Sequence, residues 1–271
     1  MGLFRFNWNK EGPGVPKDAP RKKGAARFFE IVARDYSQIW LSGLILLVCA
    51  VPMIVSVVFG VLSWPYLGLV GIAALVFLVS NVLVGPALAA MHTLIVKQLC
   101  DEPCFFWHAY KKAWKSCWKQ ATLISMLFSA ICGMECVAAV LHLFSGGSTN
   151  PILLGMIMLG LYIAVVSWLY SLLQLSQMDI KTGPLLKNSL LLTMGFLKRS
   201  LPAGLIVLAV GAGMILFFPL TLLLAFLGIP AFAALIVDMW AWPVMEQVFH
   251  ISDLRAERRE KERAEEEAAQ A

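Results

Sequence analysis

The stretch PILLGMIMLGLYIAVVSWLYSLLQLSQ, residues 151–177, contains no charged side chain and decides the class of the protein. A run of about 20 apolar residues is long enough to cross the hydrocarbon core of a bilayer as an α-helix. Each such run is long enough to cross the bilayer by itself, whereas the strands of a membrane barrel would show alternating apolar and polar residues over segments of about 10 residues. The sequence therefore predicts an all-α polytopic membrane protein with six transmembrane helices. Their expected bounds are 40–62, 66–97, 120–144, 151–177, 201–227 and 229–249.

The composition of the whole chain agrees with this prediction. Of its 271 residues, 59% are hydrophobic and 14% are charged, whereas soluble domains carry about 25% charged residues. A chain of this composition cannot cover its surface with polar groups, so we expect lipid to surround much of it. Its six cysteines lie in apolar runs or beside lysines, and we interpret them as reduced thiols.

Basic residues predict the orientation of the chain. The connections SWPY (63–66), SGGSTNP (145–151) and LGIP (227–230) hold no Lys or Arg. Because Lys and Arg stay on the cytoplasmic side, both termini are predicted to be cytoplasmic. All 22 basic residues lie in four segments, which are 1–38, 97–119, 181–199 and 251–271.

Three regions follow from this pattern. Residues 1–38 are a basic cytoplasmic segment whose end forms an amphipathic helix leading into the first span. Residues 39–250 are the six-helix membrane domain, and residues 251–271 are a charged cytoplasmic tail. Proline removes a backbone hydrogen bond, so Pro86 is expected to kink the over-long second run and Pro243 the last one.

Residues 102–120, EPCFFWHAYKKAWKSCWKQ, combine aromatic and basic side chains. If residues 105–119 are helical, the aromatic residues share one stripe and the lysines lie beside it. Trp and Tyr favour the membrane interface and Lys reaches lipid phosphates, so we predict an amphipathic helix on the inner leaflet, against anionic lipid. We expect no nucleic-acid partner, because the basic residues adjoin membrane spans. The residues are Trp107, Tyr110, Lys111, Lys112, Trp114, Lys115, Trp118 and Lys119.

A metal site is an alternative interpretation of the same region. A helix would place Cys100, Cys104 and His108 on one face. Pro103 disrupts that helix, the spacing is not a usual zinc pattern, and no fourth ligand is evident. We therefore predict no metal and no cofactor.

Two acids, Glu135 and Asp238, lie inside predicted spans, where an acid is costly and usually functional or paired. At 1.5 Å per residue both lie roughly 13 Å below the outer edge. If their spans are neighbours, the two carboxylates can share a proton and form a proton or cation relay. We favour single protonated acids bonded to a backbone carbonyl or to Ser/Thr, since no basic partner is evident in a span. His92 is interpreted as an interhelical hydrogen-bonder.

Three parts of the chain resemble one family. They are GPGVPKDAPRKKGAARFFEI (12–31), VGPALAAMHTLIVKQL (84–99) with FFWHAYKKAWKSCWKQ (105–120), and QMDIKTGPLLKNSLLLTMGFLKR (177–199). These resemble the YesL-like family of bacterial integral membrane proteins, a family of unknown function. The resemblance implies a multi-pass protein of the bacterial cytoplasmic membrane, often encoded near carbohydrate ABC transporters and two-component sensors. It supplies no catalytic residue.

Two main hypotheses remain for the function of this protein. The first is a non-enzymatic accessory or regulatory partner of carbohydrate ABC transport or its sensing, which binds an ABC permease or a sensor kinase. The second is a small proton- or cation-coupled transporter that uses Glu135 and Asp238. A membrane enzyme has no support, because the chain lacks a phosphate loop and the HExxH and GxSxG motifs. Self-association into a homo-oligomer stays open.

Overall fold

Long helices make up the described part of the chain. The computed structural model describes residues 22–102, 104–144 and 150–256. A short helical segment over 251–256 follows the last long helix. In chain order the helices are α1 (Ala25–Leu62), α2 (Leu67–Leu99), α3 (Phe106–Phe144), α4 (Pro151–Gln177), α5 (Thr182–Gly195), α6 (Leu197–Leu216), α7 (Leu220–Phe226) and α8 (Ile229–Phe249).

Six of these helices, α1–α4, α6 and α8, are long and apolar enough to cross a membrane. The described residues contain no strand. The prediction of an all-α polytopic membrane protein with six spanning helices is thereby confirmed. The cytoplasmic location of the termini stays a prediction.

Helices α4 and α8 have the bounds that the sequence predicts. The side chain of Asn150 accepts a hydrogen bond from the backbone N–H of Ile152 at 3.0 Å, which caps α4. Pro151 follows in the first turn, where a missing N–H costs no helical hydrogen bond. Gly228 precedes α8 with φ 85°, a left-handed conformation that glycine adopts without a Cβ clash.

The first and third helices extend further than the predicted spans. Helix α1 begins at Ala25 and departs from helical geometry only at Asp35 (φ −118°, ψ 19°), where the basic leading helix bends into the span. Helix α3 has 39 residues and is about 58 Å long at 1.5 Å per residue, against about 30 Å of hydrocarbon. About half of α3 therefore extends beyond the hydrocarbon core.

Three prolines have different effects on the helices, and the kinks at Pro86 and Pro243 stay predictions. Pro86 lies inside α2 and Pro243 inside α8, and neither ends its helix. Neighbouring helices in a membrane bundle support such positions, which is why interior prolines are tolerated there. Pro219, in contrast, separates α6 from α7, so the predicted span 201–227 is two helices. A residue before proline disfavours helical geometry, which explains this break.

Helix α2 is central and packs along α1 and α3, with further contacts to α4 and α8. Small residues allow the closest approaches. A Cβ on Gly85 would lie 2.6 Å from the backbone oxygen of Ala121, so α2 and α3 touch there through backbone. A Cβ on Gly43 would lie 2.9 Å from the Cβ of Ala231, which brings the start of α8 onto α1.

Candidate functional site

The buried centre of the candidate site is a pair of ionisable side chains on α2 and α8. Nδ1 of His92 lies 2.9 and 2.8 Å from the two carboxylate oxygens of Asp238. The side chains are 5% and 0% exposed. A hydrogen bond of this kind joins α2 to α8 inside the helix bundle. The interpretation of His92 as an interhelical hydrogen-bonder is confirmed.

This pair corrects the sequence interpretation of Asp238. We expected a protonated acid bonded to a backbone carbonyl or to Ser/Thr, with no basic partner in a span. Its partner is His92, because α8 packs across the C-terminal part of α2. The signal available in the sequence was that His92 and Asp238 are ionisable groups within apolar runs. The sequence pattern does not show which apolar runs pack against each other in the folded protein.

Glu135 belongs to a different contact. It lies against Gly160 of α4, where a Cβ on the glycine would come within 2.7 Å of its carboxylate oxygen Oε1. Asp238 has both carboxylate oxygens on His92. The described hydrogen bonds therefore join Asp238 to His92 and do not join the two acids to each other.

The aromatic and basic residues of 105–119 do not form a separate surface helix. They are the first turns of α3 and continue directly into the span. The residues of the aromatic stripe also differ in their exposure. Tyr110 is buried and stacks on Phe106 with ring centroids 5.6 Å apart, whereas Trp107 and Trp118 are 57% and 45% exposed. Lys111, Lys112, Lys115 and Lys119 are exposed, and no described carboxylate pairs with them.

An ion-pair cluster closes the turn between α2 and α3. Asp101 accepts hydrogen bonds from Arg27, at 2.8 and 2.7 Å, and from Arg34. Partial burial alone would raise the pKa of Asp101, but the hydrogen bonds from Arg34 and Arg27 outweigh it and hold the pKa below its ordinary value. The same arginines bond the backbone oxygens of Leu99 and Gln98. The cluster therefore fixes the basic leading helix to the end of α2.

Sequence reasoning missed this cluster. The signal was the spacing of Arg27 and Arg34, which are seven residues apart and so share one face of a helix. Their common partner, Asp101, adopts φ 58°, which is unusual for a residue with a side chain. The adjacent acids Asp101 and Glu102 in a basic connection gave no indication of this role.

The C-terminal segment reaches the same turn. Arg255 donates hydrogen bonds to Glu102 at 3.1 Å and to the Sγ atom of Cys100 at 3.0 Å. Cys100 thus contacts a cation, which disfavours a metal ion at that thiol. In the part of the chain that the structure describes, no three His, Cys, Asp or Glu side chains converge as ligands.

A second feature that the sequence did not reveal is a buried polar ladder between α4 and α5. Ser171 donates to Ser189 at 2.7 Å, and the hydroxyls of Ser167 and Thr193 lie 3.1 Å apart. Gln174 also donates to Ser189. Positions 167, 171 and 174 recur at helical spacing on one face of α4, which is the available signal. Polar contacts of this kind hold helices together in lipid.

Two small cavities lie near the α2–α3 turn. An apolar groove of about 320 Å³ runs between α1 and α3 beside Trp107 and Trp114. A polar cavity of about 290 Å³ lies at the turn between α2 and α3. Both lie near the basic segments, at the ends of α2 and α3 that carry Lys97 and Lys111.

Comparison with known proteins gives one match. Residues 69–140 match the model of a family described as Protein of unknown function, DUF624. Neither a curated protein nor a solved structure matches the chain. The matched residues cover most of α2 and α3, and they include His92 and the aromatic and basic segment. Over this pair of helices the chain is similar to the DUF624 family, whose function is not known.

Proposed function

We propose that this protein is a non-enzymatic accessory or regulatory partner of carbohydrate ABC transport or of its sensing, located in a bacterial cytoplasmic membrane. The link to sugar permeases and sensor kinases rests on the resemblance of its motifs to the YesL-like family. The observation that carries the proposal is the surface formed by Trp107, Trp118 and the exposed lysines of α3. We call this the α3 docking surface, and it comprises Trp107, Lys111, Lys112, Lys115, Trp118 and Lys119.

The chemistry of the α3 docking surface suits a protein partner. Exposed tryptophans are enriched among the residues that carry most binding free energy in interfaces. The exposed lysines, which pair with no described carboxylate, favour a partner that presents acidic residues and accelerate its approach. Tyr110 on the same part of α3 is buried in a cluster with Ala90 and Leu94 of α2, and such anchoring lowers the cost of ordering a binding surface.

The test is capture of partners from cells of the source organism. A tagged copy is cross-linked in the cell under mild conditions, solubilised and purified, and attached proteins are identified by mass spectrometry. Recovery of a sugar ABC permease or a sensor kinase, absent from a control with an unrelated six-span protein, supports the proposal. Recovery of the protein alone contradicts it.

A matched pair of variants locates the interaction. The double substitution Trp107→Ala and Trp118→Ala should abolish capture, since truncating an interface anchor costs about 2 kcal/mol or more. Trp64→Ala removes a tryptophan that is 55% exposed, in the connection between α1 and α2, and should leave capture unchanged. Equal loss in both variants would mean that the α3 docking surface is not the contact.

A proton- or cation-coupled transporter is the second candidate, and the His92–Asp238 pair favours it. A buried ionisable pair inside a helix bundle is a recurrent feature of proton pathways. Glu135 remains a separate intramembrane acid in this candidate and does not share a proton with Asp238. Flux into proteoliposomes that depends on a proton gradient, and that His92→Gln and Asp238→Asn each abolish, would support it. Unchanged flux in both variants would remove its basis.

A further inference from the structure

The polar cavity at the α2–α3 turn is used neither by the α3 docking surface nor by the His92–Asp238 pair. Its volume is about 290 Å³. Its wall comes from the bend of α1, the end of α2 and the turn itself. The lining residues are Arg34, Asp35, Gln38, Gln98, Asp101, Glu102 and Cys104.

Gln98 is the unusual member of this wall. It is 3% exposed, and among the described residues neither its amide nitrogen nor its amide oxygen has a hydrogen-bond partner. The side-chain oxygen of Gln38, across the cavity wall on α1, is also buried without a partner. Buried polar atoms without partners are costly and few in native proteins. Gln98 and Gln38 both line the cavity.

The surroundings of Gln98 are held in place. Arg34 donates to the backbone oxygen of Gln98 at 2.9 Å and also bonds Asp35 and Asp101. Glu102 is bonded by Arg255 at 3.1 Å. The charged groups of the wall are therefore engaged with one another, and the neutral amides carry the unmet hydrogen-bonding capacity.

The unmet capacity specifies the chemistry of a ligand. Two amide oxygens need donors and one amide nitrogen needs an acceptor. An ammonium group only donates, and an anion only accepts and would face the carboxylates of Asp35 and Asp101. A hydroxyl group donates and accepts, and neighbouring hydroxyls supply both functions at short spacing.

We propose that this cavity binds a small neutral polyhydroxy compound, of the size of a monosaccharide or a linear polyol, through Gln98 and Gln38. Its volume of about 290 Å³ lies just below the range that is typical of small-molecule sites, about 300–1,000 Å³. The bound molecule bridges α1 to α2 beside the Asp101 cluster. This proposal does not depend on the α3 docking surface, so either can fail alone.

Cys104 provides the test, because it lines the cavity and is half-buried. Burial raises the pKa of the Cys104 thiol, so alkylation is measured at mildly alkaline pH. The purified full-length chain in detergent is treated with a maleimide, and the rate at each cysteine is read by peptide mass spectrometry. Glucose, inositol and sorbitol are the probes, and Cys49 on α1 and Cys117 on α3 are internal controls.

A polyol should slow alkylation of Cys104 in a saturable way and leave Cys49 and Cys117 unchanged. At a concentration ten times the dissociation constant, mass action predicts a rate about tenfold slower. Gln98→Leu should abolish this protection, and Gln38→Leu should weaken it. Gln174→Leu is the matched control, because Gln174 also has a buried unpartnered oxygen but lies on α4, outside the cavity wall.

Three results would overturn the proposal. Unchanged Cys104 rates with all three probes would mean that water alone fills the cavity. Equal slowing in wild type and Gln98→Leu would mean general stabilisation by excluded polyol, which does not saturate. Protection by acetamide but by no polyol would assign the cavity to carboxamides instead.

Discussion

Removing His92 from its pair with Asp238 should destabilise the helix bundle strongly. In His92→Leu the carboxyl group of Asp238, which is fully buried and has both oxygens on His92, loses its partner. Removing one member of a buried pair costs about 1–3 kcal/mol when the remaining group is neutral and about 3–5 kcal/mol when it is charged. For a chain of this size, each kcal/mol of lost stability lowers the Tm by about 2–4 °C.

The double variant His92→Leu/Asp238→Leu separates this mechanism from a simple packing loss. Replacing both members of a buried pair by apolar side chains of similar volume is often neutral or stabilising. We therefore expect the double variant to be more stable than His92→Leu, with a large non-additive coupling. The assay is thermal unfolding in detergent, followed by circular dichroism, for wild type, both single variants and the double variant. Additive losses would refute the pairing.

Three further predictions concern helix packing and the ion-pair cluster at Asp101. Ser189→Val leaves its buried polar partners on α4 unmet and should cost about 1–3 kcal/mol, measured as earlier proteolysis of α5. Gly85→Ala puts a Cβ within 2.6 Å of the backbone of Ala121 and should prevent accumulation of folded protein in the membrane, whereas Gly155→Ala meets nothing within 4 Å and should be silent. Asp101 has a lowered folded-state pKa, so its contribution to stability is complete above its ordinary pKa of about 3.9 and is lost as pH falls through the lowered value. A Tm series over pH should therefore decline at acidic pH in wild type, and Asp101→Asn should flatten that decline.

The six spans could be predicted because they depend on local properties. An apolar run of sufficient length must satisfy its backbone hydrogen bonds internally, so a helix follows from the run itself. The bounds of α4 and α8 were correct because Asn150, Pro151 and Gly228 mark those ends in the sequence. The predicted separation of residues 105–119 from the third span failed because no residue between them interrupts helical geometry.

The candidate site could be predicted only in part, because its pairs join distant positions. His92 and Asp238 are 146 residues apart, and which helices touch is not contained in hydropathy. The alternative in which Glu135 and Asp238 share a proton used equal depth alone, whereas contact also requires neighbouring helices. The bonds from Arg27 and Arg34 to Asp101 likewise depend on the bend at Asp35, which the sequence pattern did not indicate.

The proposal that α3 contacts a partner protein is tested most directly by cross-linking from defined positions. A photo-reactive amino acid is placed at position 111 or 115 on the α3 docking surface, and at position 64 as the control. Irradiation of living cells should attach a sugar ABC permease or a sensor kinase to positions 111 and 115 and not to position 64. Cross-links from 111 and 115 to lipid alone, or the same proteins from all three positions, would contradict the proposed function.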